Sequence, residues 1–254
     1  MPPNFDRFIM EWRDTGIVLA TRKFGETSVI LDTLTQNHGR HSGVVRGGTS
    51  RKYRPMLQAG SIIDVTWRAR LDDHLGSFRV DLVKSRSWAI EDRTALAALS
   101  AITTLLLRVL PERDPAAELY DLTNVVLETL TIPDALAVGY FHWEMFILSH
   151  LGFGLDLSQC AVTGQTQDLV YVSPKSGRAV SHHGAGEWAD KLLPLPNIAK
   201  GFGASVSDAI EGLKLTQFFL ETRVVPDLGL ESLPQSRQRF IETLEKLTTN
   251  SNRI

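Results

Sequence analysis

The 254-residue chain has a single cysteine, Cys160, so no intrachain disulfide can form. A reducing cytoplasm suits that composition. Apolar runs of membrane-spanning length are missing too: "ITTLLLRVL" is broken by Arg108. The start, "MPPNFDRFIMEWRD", has no apolar signal core and carries Asp6, Arg7 and Glu11. The expectation is a soluble, unexported cytoplasmic protein without membrane contact; Met10 offers an alternative start, which would make residues 1–9 a dispensable extension.

The marks of catalysis are equally scarce. "RGGTSRK" has the glycines and lysine of a phosphate loop but not the GxxxxGK[ST] spacing, and no HExxH pattern occurs. His142 and Glu144 in "HWE" match the H-x-E of nucleobase deaminases, but the paired cysteines are absent. "GASVS" lacks the second glycine of a nucleophile elbow. His182 and His183 are adjacent, and in a strand they would face opposite ways, which is poor for joint metal binding. No catalytic residue is assigned, and the expectation is a protein that is not an enzyme.

What is present is an uneven charge. Residues 1–90 carry a net +5 and residues 91–254 a net −7. Such asymmetry points to a polyanion meeting one half only. The positive charge concentrates in "VVRGGTSRKYRPML", with Arg46, Arg51, Lys52 and Arg54 and no acid, and Arg40 just upstream. Arg22 and Lys23 extend the patch. Such cations neutralise phosphates without reading sequence. Tyr53 interleaves an aromatic face, and a base stacked there contributes roughly 1–3 kcal/mol. The competing reading is a solvated basic loop.

The first 90 residues read as β-structure. Five segments rich in Val, Ile, Thr, Phe and Trp (16–22, 28–35, 41–47, 61–69 and 76–84) are separated by the turn signals "FGE", "QNHG", "GGTS" and "LDDHLG". Five strands in this length predict a small oligonucleotide/oligosaccharide-binding (OB) barrel, and an SH3-like barrel has a similar strand count. After Trp88 the pattern becomes helical: 91–110; 116–130, opened by Asp114 as N-cap before Pro115; a helix from Pro133; "EWADKLL"; 206–225; and 234–249. Residues 153–183 interrupt it with a hairpin, "DLVYVS" and "GRAVS" around "PKSG". The expected class is α+β: a nucleic-acid-binding barrel over 1–88, then an α-helical domain over 89–254 with a small β-hairpin insert.

Two stretches carry a family resemblance. "GIVLATRKFGETSVILDTLTQNHGRHSGVVRGGTSRKYRPMLQAG" resembles the N-terminus of the RecO family of bacterial recombination mediators, and "FHWEMFILSHLGFGLDLSQCAVTG" is similar to that family's second characteristic segment. The resemblance implies an OB barrel and a helical domain with a zinc-knuckle-like insert. It also implies a role: binding single- and double-stranded DNA, annealing strands, contacting RecR and the C-terminal tail of the single-stranded DNA-binding protein, and helping to load RecA at the nucleoid. In many members of the family two C-x-x-C pairs hold Zn²⁺. Here the matching positions are Cys160, Thr163, Ser181 and Gly184, so the expectation is no metal and no cofactor, with the hairpin held by Leu169, Tyr171 and Val180. The acidic tail would need an apolar pocket beside a cation, with Arg108, Arg113, Arg223, Arg237 and Arg239 as candidates. The alternative function is an OB-fold protein-docking adaptor without direct DNA binding.

Overall fold

The computed structural model describes residues 10–251. The expectation about residues 1–9 lies outside them. The chain divides into two compact units, Met1–Asn124 and Val125–Ile254, so the first unit runs well past residue 88.

In the first unit, β1 (Met10–Phe24), β2 (Ser28–Thr35), β3 (Gly39–Val45), β4 (Ile62–Ala69) and β5 (Ser77–Lys84) close a barrel in the order β1-β2-β3-β5-β4. The long β1 pairs with β4 through its first half and with β2 through its second. The register breaks between Val18 and Ala20 on the β2 side, which lets one strand serve two neighbours. Closure between β3 and β5 is parallel and slight, at Val44 and Ser77. This is the partly open Greek-key barrel of the OB fold. Alternation buries Val18, Leu31, Ile63, Val65, Trp67 and Val80 as its core.

β1 begins six residues before the expected strand. In "MEWRDT" Trp12 turns inward and stacks on His38, ring centroids 4.0 Å apart. Asp14, 8 % exposed, accepts from the Asn37 amide at 2.8 Å and meets His38 Nδ1 at 2.8 Å. Those hydrogen bonds outweigh the cost of burial and lower the pKa of Asp14.

α1 (Arg93–Val109), N-capped by Asp92, and most of α2 (Ala117–Glu128) belong to this unit. α2 starts three residues after Asp114, which is therefore not its N-cap. Asp114 instead presses on Gly39, whose added Cβ would lie 1.9 Å from the Asp114 carbonyl oxygen. The segment 110–114 is a strap on β3: the Arg113 amide donates to the Arg40 carbonyl at 2.7 Å, and Arg40 bridges Glu112. Arg113 also donates to the carbonyls of Asp72 and, at 2.8 Å, His74.

The second unit holds α3 (Pro133–His150), β6 (Leu169–Val172), β7 (Ala179–Ser181), the one-turn α4 (His182–Ala185), β8 (Leu193–Pro194), α5 (Val206–Phe219), α6 (Val225–Asp227) and α7 (Gln235–Ser251). α5 packs on α3 and α7. It opens with a capping box between Ser205 and Asp208. Its Gly212 allows close approach of the Phe141 ring. The helix expected over 206–225 passes through a π turn at Leu220–Val224 before Pro226. "EWADKLL" forms 3-10 turns rather than an α-helix.

Candidate nucleic-acid interface

Residues 46–60 fold as consecutive tight turns on one end of the barrel. Gly47, at φ 70°, starts them, where a side chain would be strained. The Ser50 amide donates to the Gly47 carbonyl (3.0 Å), and the Met56 and Leu57 amides to the Tyr53 carbonyl (both 3.0 Å). The Thr49 amide donates to the Thr27 carbonyl at 3.1 Å, tying the loop to the β1–β2 turn. Leu57, Tyr53 and Met56 pack into the barrel core. With its apolar side chains pinned inward, the loop presents Arg46, Arg51, Lys52 and Arg54 to solvent. Among the described residues none of the four pairs with a carboxylate.

Arg22 and Lys23 are exposed at the far end of β1, opposite Ile30 and Val29, so they reach the same end of the barrel. Arg22 lies 4.0 Å from Asp32. Tyr53 is half-buried, with Lys52 Nζ 5.7 Å from its ring centroid, so only part of the ring remains for stacking.

Arg40 does not join the patch. Its side chain is 16 % exposed; Nε donates to the Leu110 carbonyl at 2.8 Å and Nη1 pairs with Glu112 at 3.3 Å. A guanidinium so engaged is a clamp on the strap. The interaction spans 70 residues of chain, which no local pattern foretells.

Three cations were not singled out by sequence: Arg13, Arg68 and Arg79. Register places Arg13 opposite Thr66 and Thr66 opposite Arg79, while Glu11 faces Arg68. With Arg46 and Tyr53 they line a concavity of about 570 Å³. Charged residues at outward positions of alternating strands were the available signal, but residues 13, 68 and 79 meet only once the ladder forms.

The second unit settles the other candidates. His142 is exposed while Glu144 is fully buried, so the two point apart. Glu144 takes a bidentate pair from Arg237, at 2.7 Å (Nε) and 2.9 Å (Nη2), and a short hydrogen bond from the Thr216 hydroxyl. This joins α3, α5 and α7 and removes Arg237 as a cation for any ligand. His182 and His183 lie in α4, not a strand, and are both exposed. Arg223 borders a hollow of about 160 Å³ with Phe153, Leu155, Phe219 and Lys175. It donates to the carbonyls of Pro174 (3.1 Å) and Lys175 (2.6 Å). Arg108 and Arg239 are exposed, whereas Arg113, within the strap, is engaged by the carbonyls of Asp72 and His74.

The four knuckle positions do converge, around sulfur. Cys160 Sγ accepts from the Thr163 amide (3.4 Å), the Ser181 amide (3.2 Å) and the Ser181 hydroxyl (3.3 Å). A Cβ at Gly184 would come within 2.8 Å of that sulfur. Burial resists ionisation of the thiol, but the Ser181 and Thr163 donors outweigh it and lower its pKa to about 6. Val180, Ala185, Leu169 and Tyr171 pack around it. These residues do not fit a tetrahedral zinc ion: one thiolate is present, its lone pairs are engaged, and glycine brings no donor. Among the described residues no group of three or more His, Cys, Asp or Glu is placed to hold a metal.

Among the described residues no helix is long and apolar enough to cross a membrane. Residues 10–86 match the family model "Recombination protein O N terminal" and residues 90–231 match "Recombination protein O C terminal". The DNA repair protein RecO of Roseobacter denitrificans is 51 % identical over 239 residues, covering 93 % of this chain and 99 % of that protein. That of Ruegeria sp. is 48 % identical over the same length, covering 93 % and 99 %. That of Jannaschia sp. is 51 % identical over 238 residues, covering 93 % and 97 %. With both halves of the barrel-and-helix chain matched in order, the protein belongs to the RecO family of DNA repair proteins.

Proposed function

We propose that this chain is a DNA-binding recombination mediator that works by binding alone. The observation that carries the reading is the set of solvent-facing cations Arg22, Lys23, Arg46, Arg51, Lys52 and Arg54 at one end of the OB barrel. Phosphates bound there release condensed counterions, and two strands held on one cationic surface no longer repel each other fully. Annealing then proceeds without nucleotide hydrolysis or any other bond chemistry. In this reading the protein acts at the nucleoid with RecR, helps load RecA, and takes the acidic tail of the single-stranded DNA-binding protein. The hollow beside Arg223 and Lys175 offers that tail an apolar floor of Phe153, Leu155 and Phe219 with cations at the rim. The insert needs no zinc in this scheme, because the Cys160 sulfur and its donors occupy the centre of the knuckle.

The test is oligonucleotide binding by fluorescence anisotropy across a salt series. R51E/K52E/R54E should weaken single-strand binding sharply and reduce the log–log salt slope by roughly 0.7 for each phosphate no longer neutralised. K200E, a charge reversal at an exposed lysine of the second unit, should change neither. Unaltered affinity and slope in the triple variant would remove the basic loop from the DNA-binding surface. Absence of binding by the wild type at low salt would favour the protein-docking adaptor.

A further inference from the structure

The concavity on the β1–β4–β5 face is not the basic loop, although Arg46 and Tyr53 border both. Arg13, Arg68 and Arg79 differ from the arginines of the loop in one respect: they are held by carboxylates of the same face. Arg68 grips Glu11 as a fork, Nε to Oε2 at 2.7 Å and Nη2 to Oε1 at 3.0 Å. Arg13 Nη2 meets Asp64 Oδ2 at 3.1 Å, and Asp64 also accepts from the Thr15 hydroxyl at 3.3 Å. Arg79 lies loosely by Asp81 at 4.0 Å. The pairs are open to water, with 61 % of the Arg68 side chain and 74 % of that of Arg13 exposed.

A guanidinium fork recognises a carboxylate and a phosphodiester by the same two parallel N–H···O bonds. We propose that this face is a path for single-stranded phosphodiester, and that Glu11 and Asp64 are internal competitors that hold Arg68 and Arg13 until phosphate displaces them. The proposal rests on the DNA-binding reading above and gives the strand its course from the loop onto the barrel face.

Three features support it. The hollow is concave, with a volume of about 570 Å³, in the range of sites that enclose part of a ligand. Tyr53 flanks it with an aromatic ring, and an unstacked base has a free π-face to lay there, which a base inside a duplex lacks. The charge is also poised. With Glu11, Asp64 and Asp81 in place, Arg68, Arg13 and Arg79 are each matched by a carboxylate, so the face presents oriented guanidinium groups with less attraction than a bare cationic patch. Exposed ion pairs of this kind are weak, so they exchange readily for a polyanion that brings several phosphates at once and loses its counterions in doing so.

The distinctive consequence is a gain of binding on removing a carboxylate. E11Q frees Arg68 and D64N frees Arg13. Each should raise single-strand affinity by roughly two- to five-fold, the range in which an exposed ion pair competes. E91Q removes one negative charge from an exposed site elsewhere in the same unit and sets the effect of net charge alone. R68Q should weaken binding, and E11Q placed on R68Q should yield no gain, because the freed partner is gone. Anisotropy with a single-stranded oligonucleotide reads the five variants beside the wild type, with thermal melts to establish that each is folded. An E11Q and D64N response no larger than that of E91Q, or a gain from E11Q that persists in the R68Q background, overturns the proposal. If R51E/K52E/R54E also binds like the wild type, the loop assignment fails with it. If the triple variant loses binding while E11Q gains nothing, only the path over β1–β4–β5 is wrong.

Discussion

His41 sits inside the barrel at 2 % exposure with neither ring nitrogen hydrogen-bonded. It is enclosed by rings: Trp12 and Trp67 lie edge-on, each with its centroid 5.0 Å away, and Phe78 is 6.0 Å away. Burial, reinforced by the Arg113 guanidinium, holds its pKa at about 4 against an ordinary 6.5, with Glu112 opposing, His38 adding a little and Asp72 opposing weakly. The native barrel therefore contains a neutral imidazole, while the unfolded chain takes up a proton below pH 6.5. The stability linked to this histidine is complete above pH 6.5 and is lost as pH falls towards 4. From this depression the loss is on the order of 1 kcal/mol at pH 5.5 and about 2–3 kcal/mol at pH 4.5. His41→Phe removes the titration and leaves a ring among rings.

Urea unfolding followed by tryptophan fluorescence reports on Trp12 and Trp67 beside the site. Measured at pH 7.5, 5.5 and 4.5, the wild type and His41→Phe should diverge, with the variant losing less stability by about those amounts. Carboxylates that titrate in the same window cancel in the difference. Parallel loss of stability in the two proteins from pH 7.5 to 4.5 would show that His41 is not held neutral, and the account of the barrel interior would be refuted.

The second unit gives three further outcomes. Glu144→Gln leaves Arg237 buried without its counter-charge and should cost about 3–5 kcal/mol, whereas an apolar pair at both positions should recover most of it. A shift in the urea midpoint equivalent to less than about 1 kcal/mol would mean that the pair is solvated. Cys160→Ala removes the acceptor for the Ser181 hydroxyl and for the Ser181 and Thr163 amides, at a cost of about 1–3 kcal/mol. Incubating the wild type with a chelator should leave its melting temperature unchanged, and elemental analysis finding one tightly held zinc per chain would contradict the sulfur-centred knuckle.

Four of the five barrel strands were legible to within two residues at each end, because runs rich in β-branched and aromatic residues lie there between turn signals. The first half of β1 was not, since Glu11, Arg13 and Asp14 make it look like a charged tail. Besides the adjacent Thr15 amide, the partners of its inward Asp14 are Asn37 and His38, more than twenty positions away. Asp114 before Pro115 had the look of a helix start, but the strap's grip on β3 delays α2 to Ala117. Of the cations, the loop set was visible because it is contiguous. Arg40 looked the same in sequence and differs only through partners in 110–112. Arg13, Arg68 and Arg79 are scattered, and ladder register alone brings them to one face. The knuckle positions could be read off, but not that the Ser181 hydroxyl would turn inward and donate to the Cys160 sulfur.

The strap over 110–114 also limits how other proteins approach. A barrel whose β3 and β5 scarcely pair leaves a seam where an incoming peptide would ordinarily add as a sixth strand. Here the chain's own backbone already takes the Arg40 carbonyl, and Gly39 admits it without a gap. At Gly39 and Arg40, therefore, a partner cannot add as a strand unless it first prises the strap away.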